Sequence, residues 1–290
     1  MTGVPIRGVV PKGGGIGILA AFLVCSIVLS VPRSFWIPAV LLSLFSLWGD
    51  RSEIRPKTRL LFQFAAGVIL LTWVLLEKES TALAYALVPL LAIFVVGTAN
   101  YYNFMDGING IAGITGVIGF GLLAFYASNF GADHCFIILS ICMSLTCLGF
   151  LPFNMPNAKV FMGDVGSILL GFVFAAMVLW LSRDVLDFMV LSAFLFPFYA
   201  DELTTLVVRI KDGDRLTRPH RKHLYQLLTN EKRISHWKIS VGYGLFQLVV
   251  GVTVLLLKPF GILMVLSLLV AYFGGFVVVS SIVRRSLTVS

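Results

Sequence analysis

Residues 164–181 read DVGSILLGFVFAAMVLWL, and this stretch decides the fold of the chain. Asp164 is its one charged residue, and the residues after it are apolar or small. About 17 apolar residues in a helix are enough to cross the ~30 Å hydrocarbon core of a membrane. Lipid offers no partners to backbone N–H and C=O groups, which favours a helix because these groups then bond to one another. The stretch therefore predicts a transmembrane helix that begins beside a carboxylate.

The composition extends this prediction to the whole chain. Of its 290 residues, 58% are hydrophobic and only 12% are charged, with a mean hydropathy of +0.96. A soluble domain would carry about 25% charged residues. We expect an all-α fold: one polytopic transmembrane helical bundle formed by residues 1–290, with about ten spans. The predicted spans are 16–31, 36–48, 60–76, 82–98, 111–127, 135–151, 166–181, 187–208, 239–257 and 261–283.

The distribution of positive charge predicts which side each loop occupies. Eighteen of the 22 lysines and arginines fall in the N-terminus, alternate loops and the C-terminal tail, and nine of these lie in loop 209–238. Cytoplasmic loops carry the excess of Lys and Arg in such proteins, so both termini are expected in the cytoplasm. The net charge of +8 then reflects topology and contact with anionic membrane lipids, and nucleic-acid binding is not expected.

A run of three glycines stands at the mouth of the first predicted span: Gly13, Gly14 and Gly15. Glycine lets a backbone amide approach a phosphate closely, and the N-terminus of a helix favours an anion. The run is therefore a candidate substrate-binding segment. A flexible leader before the membrane explains the same residues equally well.

The segment WGDRSEIRPKTRLLFQF places Asp50 at the end of the second span, immediately before a basic cluster. Such a cluster is expected in any loop that faces the cytoplasm, and Asp50 would then be a compensating carboxylate. The alternative interpretation is that Asp50 belongs to a catalytic site on that face. The neighbouring motifs favour this second interpretation.

The segment NYYNFMDGINGIAG, residues 100–113, repeats a polar residue every three positions: Asn100, Asn103 and Asp106. In a helix these side chains share one face, and polar groups beside lipid are costly unless they line a site. Asp-Gly and Asn-Gly pairs also form turns. A turn does not account for Asn100 and Asn103, so we expect Asp106 to be catalytic and the two asparagines to bind substrate.

Asp164 stands between two glycines just ahead of the seventh span. A carboxylate on an uncrowded turn suits a hard cation such as magnesium, and nearby Lys159 would suit a phosphate. Aspartate is also a favoured N-cap residue, which would stabilise the helix by ~1 kcal/mol. Both interpretations can hold together, and we expect Asp164 to be catalytic and to be the metal ligand.

The largest loop, 209–238, which we call the histidine loop, gathers cationic and hydrogen-bonding side chains within six residues: Arg218, His220, Arg221, Lys222 and His223. Groups clustered in this way suit a diphosphate or a nucleotide. Neither cysteines nor carboxylates accompany the histidines at metal-ligand spacing, so a zinc site is not expected. The alternative is a basic loop that only sets the orientation of the chain.

Asp50, Asp106 and Asp164 thus share the predicted cytoplasmic face with the basic loop. Carboxylates that hold magnesium, beside cations that hold phosphates, are the groups that phosphoryl transfer requires. Because the site lies at the membrane surface, a lipid is the expected acceptor.

At these motifs the sequence resembles the polyprenyl-phosphate N-acetylhexosamine-1-phosphate transferases (glycosyltransferase family 4). The family includes the enzymes that start enterobacterial common antigen, O-antigen and teichoic acid linkage units, and the phospho-MurNAc-pentapeptide transferase of peptidoglycan. The likeness covers nearly the whole chain, and NYYNFMDGINGIAG and FNMPNAKVFMGDVGSILLGF are its most specific elements. PKGGGIGI, RPKTRLLFQ and FPFYADELTTLVVRI follow weaker signatures. HRKHLYQLL looks most like the branch that starts O-antigen chains with 6-deoxy-N-acetylhexosamines such as FucNAc or QuiNAc.

The resemblance implies a reaction in the inner membrane of a bacterium. Undecaprenyl phosphate would attack the β-phosphorus of a UDP-N-acetylamino sugar, which gives undecaprenyl-diphospho-sugar and UMP. Magnesium, or manganese in its place, would bridge Asp164 and the UDP diphosphate. Arg221 and His223 would belong to the loop that closes over the diphosphate, and Asp201 matches a recurrent acidic position of unassigned role. A homodimer is compatible with this assignment.

Three features depart from the family's pattern. Two adjacent aspartates are usual where this chain has Gly49-Asp50, so the general base would be Asp50 alone or Asp106. The histidine loop lacks the adjacent histidines of the common-antigen and peptidoglycan branches, which argues against a MurNAc-pentapeptide substrate. Members outside peptidoglycan synthesis usually have one more span before the glycine run. We therefore expect either that this sequence starts internally or that this member lacks that helix.

Two other functions stay open at this point. One is a transporter or flippase of a polyprenyl-linked or anionic solute, which would place polar groups near the bilayer midplane and relate two halves by a repeat. The other is a non-catalytic relative that acts as a partner or regulator, which Gly49 suggests.

Overall fold

A computed structural model of the protein describes residues 10–52, 54–79, 82–215 and 220–288. These residues form thirteen α-helices, with short 3-10 turns at Ala193–Leu195 and Lys258–Phe260. The helices are α1 (Gly15–Val28), α2 (Arg33–Arg51), α3 (Pro56–Glu77), α4 (Ala82–Ala86), α5 (Val88–Met105), α6 (Ile111–Asn129), α7 (His134–Asn154), α8 (Asp164–Leu181), α9 (Val185–Ser192), α10 (Phe196–Lys211), α11 (Leu224–Asn230), α12 (His236–Leu257) and α13 (Ile262–Thr288). The prediction of an all-α polytopic bundle is confirmed.

The described helices make ten long segments when α9, the turn after it and α10 are counted as one, and each predicted span overlaps one of them. Eight of these segments are long and apolar enough to cross a membrane, by length and composition. The other two are α1, which has only 14 residues, and α2, which carries Arg33 and Asp50 near its ends.

The predicted span 82–98 begins too early. The helix breaks at Leu87, and α5 runs from Val88 to Met105. Pro89 lies in the first turn of α5, where its missing N–H has no intrahelical partner to lose and its ring is tolerated. Because α5 continues to Met105, past the predicted end at residue 98, Asn100 and Asn103 lie in its last turns.

Helix α8 is the centre of the bundle. It packs against α1, α2, α5 and α6, and its residues from Val165 to Leu179 are all buried. Glycine sets the closest approach: a Cβ atom at Gly171 would lie 2.7 Å from the Cα atom of Ala99 in α5. Helix α13, by contrast, exposes half of its apolar side chains and buries only Val265 and Phe276 among them, as expected of a helix that faces lipid.

Contacts between helix ends sort the loops into two faces. At one end Lys12 forms a parallel bridge with Phe161, and the Arg59 guanidinium is paired with the Asp164 carboxylate. At the other end the Lys78 ammonium donates hydrogen bonds to the carbonyl of Ser182, at 2.6 Å, and to that of Leu179. The three predicted catalytic aspartates all lie at the first end, which we call the acidic face.

The contact at Gly171 predicts a loss of stability for Gly171→Ala. Overpacking of this kind costs about 1–3 kcal/mol, because backbone of α5 stands where the new methyl would go. Gly97→Ala in α5 is the matched control, since a Cβ atom there meets nothing within 4 Å. Thermal unfolding in detergent checks both variants. Equal melting temperatures for Gly171→Ala and the wild type would contradict the packing of α5 on α8.

Candidate active site

Asp164 is the first residue of α8 and stands at the convergence of three helices. Its Oδ2 atom is paired with the guanidinium of Arg59 from α3, and its Oδ1 atom accepts a hydrogen bond from Asn103 Nδ2 of α5 at 2.9 Å. Asn103 also donates to Ser167 Oγ, at 2.8 Å, one turn further along α8. The N-terminus of a helix favours a carboxylate, which adds to these two contacts.

The interpretation of Asp164 as an N-cap is wrong. Gly163 occupies the cap position, with φ of +73°, and glycine has no side chain that could cap the helix. The Asp164 carboxylate instead faces Arg59 and Asn103, outside the helix backbone.

Gly49 gives room to Arg59. A Cβ atom at residue 49 would lie 2.9 Å from the nearest guanidinium nitrogen of Arg59. The guanidinium thus lies against the backbone of α2 while it contacts Asp164. At the position where the family resemblance leads us to expect a further carboxylate, this chain therefore places a cation from α3.

Asp50 lies on the other side of Gly163. Its Oδ2 atom is buried and has no hydrogen-bond partner within the described part of the chain, although the backbone amides of Asp164 and Val165 interact with the Asp50 carboxyl group. A Cβ atom at Gly163 would lie 2.9 Å from this oxygen, so the glycine brings the Asp50 carboxylate close to the start of α8. A buried carboxylate oxygen without a donor is energetically costly, and a cation would satisfy it.

Asp106 is the cap residue after the last turn of α5. Burial, and secondarily the negative charge of Asp164, raise the pKa of Asp106 well above its usual range. A nearby negative charge disfavours ionisation of a carboxyl group, and a bound cation would relieve this effect on Asp106.

The three aspartates line one cavity of about 310 Å³ on the acidic face, which we call the acidic cavity. Asn103, Lys12 and Asn154 complete its polar wall, and the Asn154 side chain is held by the amide of Gly110, which donates to its Oδ1 atom at 2.6 Å. Lys12 and Asn154 were not among the residues predicted from the sequence. Lys12 reaches the cavity because its segment runs parallel to Phe161, a pairing without a local sequence signal.

A second, larger cavity of about 670 Å³ adjoins the first and shares Asn103 and Asp164 with it. We call this second cavity the amphipathic groove. One part of this amphipathic groove is polar, and its side chains are Arg59, Gln63, Asn100, Arg209, His220, His223 and Gln226. The other part is apolar and comes mainly from α2, α3 and α5: Leu42, Phe45, Ile54, Pro56, Leu60, Phe104 and Ile168. Leu60 and Phe104 are 45% and 50% exposed, which places this apolar part at the lipid-facing surface of the bundle.

Asn100 and Asn103 lie on one side of α5, as their spacing predicts. Asn100 Nδ2 donates to Gln63 Oε1 at 2.6 Å, and Gln63 Nε2 returns a bond to Asn100 Oδ1 at 3.2 Å. This pair joins α5 to α3 inside the groove. Gln63 was missed by the sequence reasoning because a single glutamine in an apolar helix carries no motif.

The histidine loop brings two of its predicted residues to the groove. His220 and His223 both line it, with their ring centroids 4.7 Å apart. Burial, followed by the proximity of His223 and Arg209, lowers the pKa of His220 to about 4. His220 is therefore uncharged at neutral pH, so it can contact a substrate through hydrogen bonds rather than through a charge.

The rest of that loop lies elsewhere. Arg221 is exposed and lines neither cavity, and the Lys222 ammonium is paired with Asp212 and Asp214 at 2.6 and 2.8 Å. Arg218 falls outside the described residues. Lys159, which we predicted to bind phosphate, is also exposed and lines neither cavity.

The glycine run has a packing role in this structure. Gly13 and Gly14 donate their amides to the Phe161 carbonyl at 3.1 and 2.9 Å, and Gly15 donates to the Met162 carbonyl at 2.9 Å. A Cβ atom at Gly15 would lie 2.4 Å from the amide nitrogen of Gly166. In this conformation the three amides are used within the protein, so close approach of α1 to α8 explains the glycines better than phosphate binding does.

The residues of the acidic cavity fit a magnesium ion that is completed by its substrate. Among the described residues, no group of three or more His, Cys, Asp or Glu side chains is arranged to hold a metal by itself. Magnesium in phosphate chemistry is usually held by one or two carboxylates, with water and phosphate oxygens as its other ligands. The unpartnered oxygen of Asp50 and the carboxylate of Asp164 meet that requirement.

Fold and site together define a polytopic membrane protein with an acidic cavity and an adjoining amphipathic groove at one end of its bundle. Residues 33–182, just over half of the chain, match the model of glycosyl transferase family 4. The chain belongs to this family. The matched region runs from the start of α2 to the end of α8, and it includes Asp50, Asp106 and Asp164 but not the histidine loop.

Several relatives carry names that mention polyprenyl phosphates or sugar-phosphate transfer. The chain is 24% identical to a probable undecaprenyl-phosphate N-acetylglucosaminyl 1-phosphate transferase of Bacillus subtilis, over 76% of this chain and 66% of the relative. It is 34% identical to a phospho-N-acetylmuramoyl-pentapeptide-transferase of Staphylococcus saprophyticus, over 59% and 54%. It is 28% identical to a decaprenyl-phosphate N-acetylglucosaminephosphotransferase of Mycobacterium leprae, over 75% and 66%. The chain thus spans between about half and two thirds of the length of these relatives.

The geometry around Gly163 predicts that Gly163→Ala is destabilising for two reasons. Alanine at a φ of +73° is strained, and its Cβ atom would press on Asp50 Oδ2. Gly131→Ala is the matched control, because Gly131 has φ of +72° but open space around it. We expect Gly163→Ala to cost about 1–3 kcal/mol, and more than Gly131→Ala costs.

A double-mutant cycle separates the two causes. In an Asp50→Ala background the cost of Gly163→Ala should fall to that of Gly131→Ala, as measured by thermal unfolding, because the contact with Asp50 Oδ2 is gone. An unchanged cost in that background would show that Asp50 does not lie against Gly163.

Proposed function

We propose that the protein transfers an N-acetylamino-sugar 1-phosphate from a UDP-sugar to undecaprenyl phosphate, with UMP as the second product. The observation that carries this proposal is that Asp164 and Asn103 line both the acidic cavity and the amphipathic groove. A phosphoryl transfer between a water-soluble donor and a lipid acceptor needs one reacting phosphorus accessible from both. The names of the relatives support the same class of reaction.

The acidic cavity suits the diphosphate of the donor. Asp164 and Asp50 would hold magnesium, which, when bound, stabilises negative charge on the transferring and leaving phosphate oxygens. Lys12, in the wall of the same cavity, would neutralise part of the diphosphate charge. Asn103, fixed by Ser167, holds the Asp164 carboxylate in one orientation for this task.

The amphipathic groove suits the acceptor. Its apolar part would take the first isoprene units, and its half-exposed Leu60 and Phe104 leave the chain a path into lipid. Arg59 stands between that part and Asp164, where it would hold the acceptor phosphate next to the donor. An arginine guanidinium binds phosphate oxygens in a bidentate manner, which fixes the direction of attack.

Proton removal requires little from the protein. A phosphate monoester has a second pKa of about 6 and is largely ionised at neutral pH. The remaining proton would go to Asp106, whose raised pKa suits a base better than that of an ordinary aspartate. The absence of a carboxylate at Gly49 is therefore compatible with turnover.

The setting that we propose is the bacterial inner membrane, with the acidic face and both termini in the cytoplasm, where nucleotide sugars are made. The histidine loop supports a 6-deoxy-N-acetylhexosamine donor and the first membrane step of O-antigen or another cell-surface polysaccharide. Relatives that carry N-acetylglucosamine or N-acetylmuramoyl-pentapeptide in their names make UDP-GlcNAc the first competing donor.

Release of UMP tests the proposal. Membranes that contain the protein, supplied with undecaprenyl phosphate, magnesium and UDP-GlcNAc, UDP-FucNAc or UDP-QuiNAc, should release UMP with at least one donor. Asp164→Asn should lower this rate at least about 100-fold, because it removes a ligand of the cation that stabilises negative charge in the transition state. Asp133→Asn makes the same chemical change at an exposed position on the opposite face and should leave the rate unchanged.

Two results would overturn the proposal. One is the absence of UMP release with every donor while a working relative is active in the same membranes. The other is an equal rate for Asp164→Asn and the wild type, which would remove Asp164 from the reaction. Transport of a labelled polyprenyl-linked solute without UMP release would support the flippase alternative instead.

A further inference from the structure

Asp201 is a carboxylate within the membrane-spanning segment α9–α10, and it is completely buried. Charged groups at such positions are costly, so their contacts indicate what they are for. Neither cavity includes Asp201, and the sequence gives it no role. Any effect of Asp201 on the two cavities therefore passes through the residues that contact it.

Two of the four hydrogen bonds that Asp201 accepts come from the backbone of the histidine loop. Its Oδ1 atom accepts a hydrogen bond from the backbone N–H of Leu224 at 2.8 Å, and its Oδ2 atom accepts one from that of Tyr225 at 3.3 Å. The hydroxyl of Tyr243, from α12, donates to Oδ2 at 2.7 Å, and that of Thr205 donates to Oδ1 at 3.2 Å. Both carboxylate oxygens thus receive two donors from three different elements.

The two backbone bonds fix the start of α11 and, with it, the histidines. N–H groups in the first turn of a helix have no intrahelical partners, and Asp201 supplies partners for two of them. His223 immediately precedes α11, and its Nδ1 atom lies 3.8 Å from Asp201 Oδ1. The ring of His220 lies against that of His223, so the placement of both rings in the groove depends on this anchor.

Tyr225 connects the start of α11 with the turn beside the acidic cavity. Its side chain is fully buried, and its hydroxyl donates to the Phe104 carbonyl at 2.9 Å. A Cβ atom at Gly107 would lie only 2.1 Å from that hydroxyl, so Tyr225 packs directly on the turn that contains Asp106. The ring of His223 stacks on that of Tyr225, with centroids 5.7 Å apart.

We propose that Asp201 is a positioning residue that holds the histidine loop over the groove and, through Tyr225, fixes the turn of Asp106. One buried carboxylate thereby fixes the position of the groove's histidines relative to the acidic cavity. The kinetic part of this inference rests on the proposed function, but the structural part does not.

The substitution Asp201→Asn keeps the shape of the side chain and replaces one acceptor oxygen by an NH2 group. That group would face donors, so at least one of them loses its partner, and a lost hydrogen bond to a charged acceptor inside a protein is expensive. Asp187→Asn is the matched control. Asp187 is equally buried, but it is paired with Arg183 at 2.7 Å and Lys258 at 2.8 Å on the opposite face.

Hydrogen–deuterium exchange of the full chain in lipid nanodiscs tests the structural part. Asp201→Asn should raise amide exchange at least ~10-fold in residues 224–230 and in 104–110, and Asp187→Asn should leave both segments unchanged. Tyr225→Phe removes only the bond to the Phe104 carbonyl, so it should raise exchange in 104–110 and leave the start of α11 protected.

Unchanged protection of both segments in Asp201→Asn would overturn the proposal. If Asp201→Asn does not fold, Tyr243→Phe replaces it, because it removes one donor to the carboxylate and keeps the rest of the bundle. That variant should raise exchange in 224–230 by a smaller factor, and the absence of any rise would equally overturn the proposal.

The kinetic readout separates positioning from general destabilisation. In the UMP-release reaction Asp201→Asn should lower kcat at least ~10-fold at a saturating donor concentration, whereas Asp187→Asn should retain the wild-type kcat. A wild-type kcat for Asp201→Asn would overturn its positioning role even if exchange had increased. If the wild type releases no UMP, the proposed function fails, and the exchange experiment still decides whether Asp201 holds the loop.

Discussion

The site depends on one constraint: the carboxylate of Asp164, at the start of the most buried of the described helices, has to find its partners outside that helix. Helix α8 packs mainly on α1, α2, α5 and α6 and buries its residues from Val165 to Leu179. A carboxylate at its first position needs partners from outside the helix, and it obtains them from Arg59 and Asn103. This requirement draws the ends of α3 and α5 to the start of α8 and creates the place where the two cavities meet.

Much of this arrangement can be predicted from the sequence, because lipid imposes simple rules. Ten apolar segments and the distribution of Lys and Arg are sufficient for an all-α bundle with its polar motifs at one end. Asn100, Asn103 and Asp106 occur every three residues, and α5 does place its two asparagines on the site side. These features are local periodicities or compositions, so they can be recognised without knowing which distant segments come into contact.

The remaining parts depend on contacts between distant segments, for which a single sequence has no signal. Lys12 enters the acidic cavity through its pairing with Phe161, and Arg59 reaches Asp164 across the open backbone of Gly49. The same limitation applies to predicted site residues that the structure places in other contacts. Gly13, Gly14 and Gly15 form a motif that suits phosphate, but their amides are used by Phe161 and Met162. Lys159 is near Asp164 in sequence, yet it is exposed and outside both cavities.

We propose that Asp164 helps to hold a divalent cation together with the donor diphosphate, and manganese allows this binding to be measured directly. Electron paramagnetic resonance of Mn²⁺, titrated into the purified protein with a UDP-sugar present, counts bound ions without any need for turnover. We predict one bound Mn²⁺ per chain for the wild type and for Asp133→Asn, and at least a ~10-fold weaker affinity for Asp164→Asn. Equal affinity in Asp164→Asn and the wild type would contradict the account.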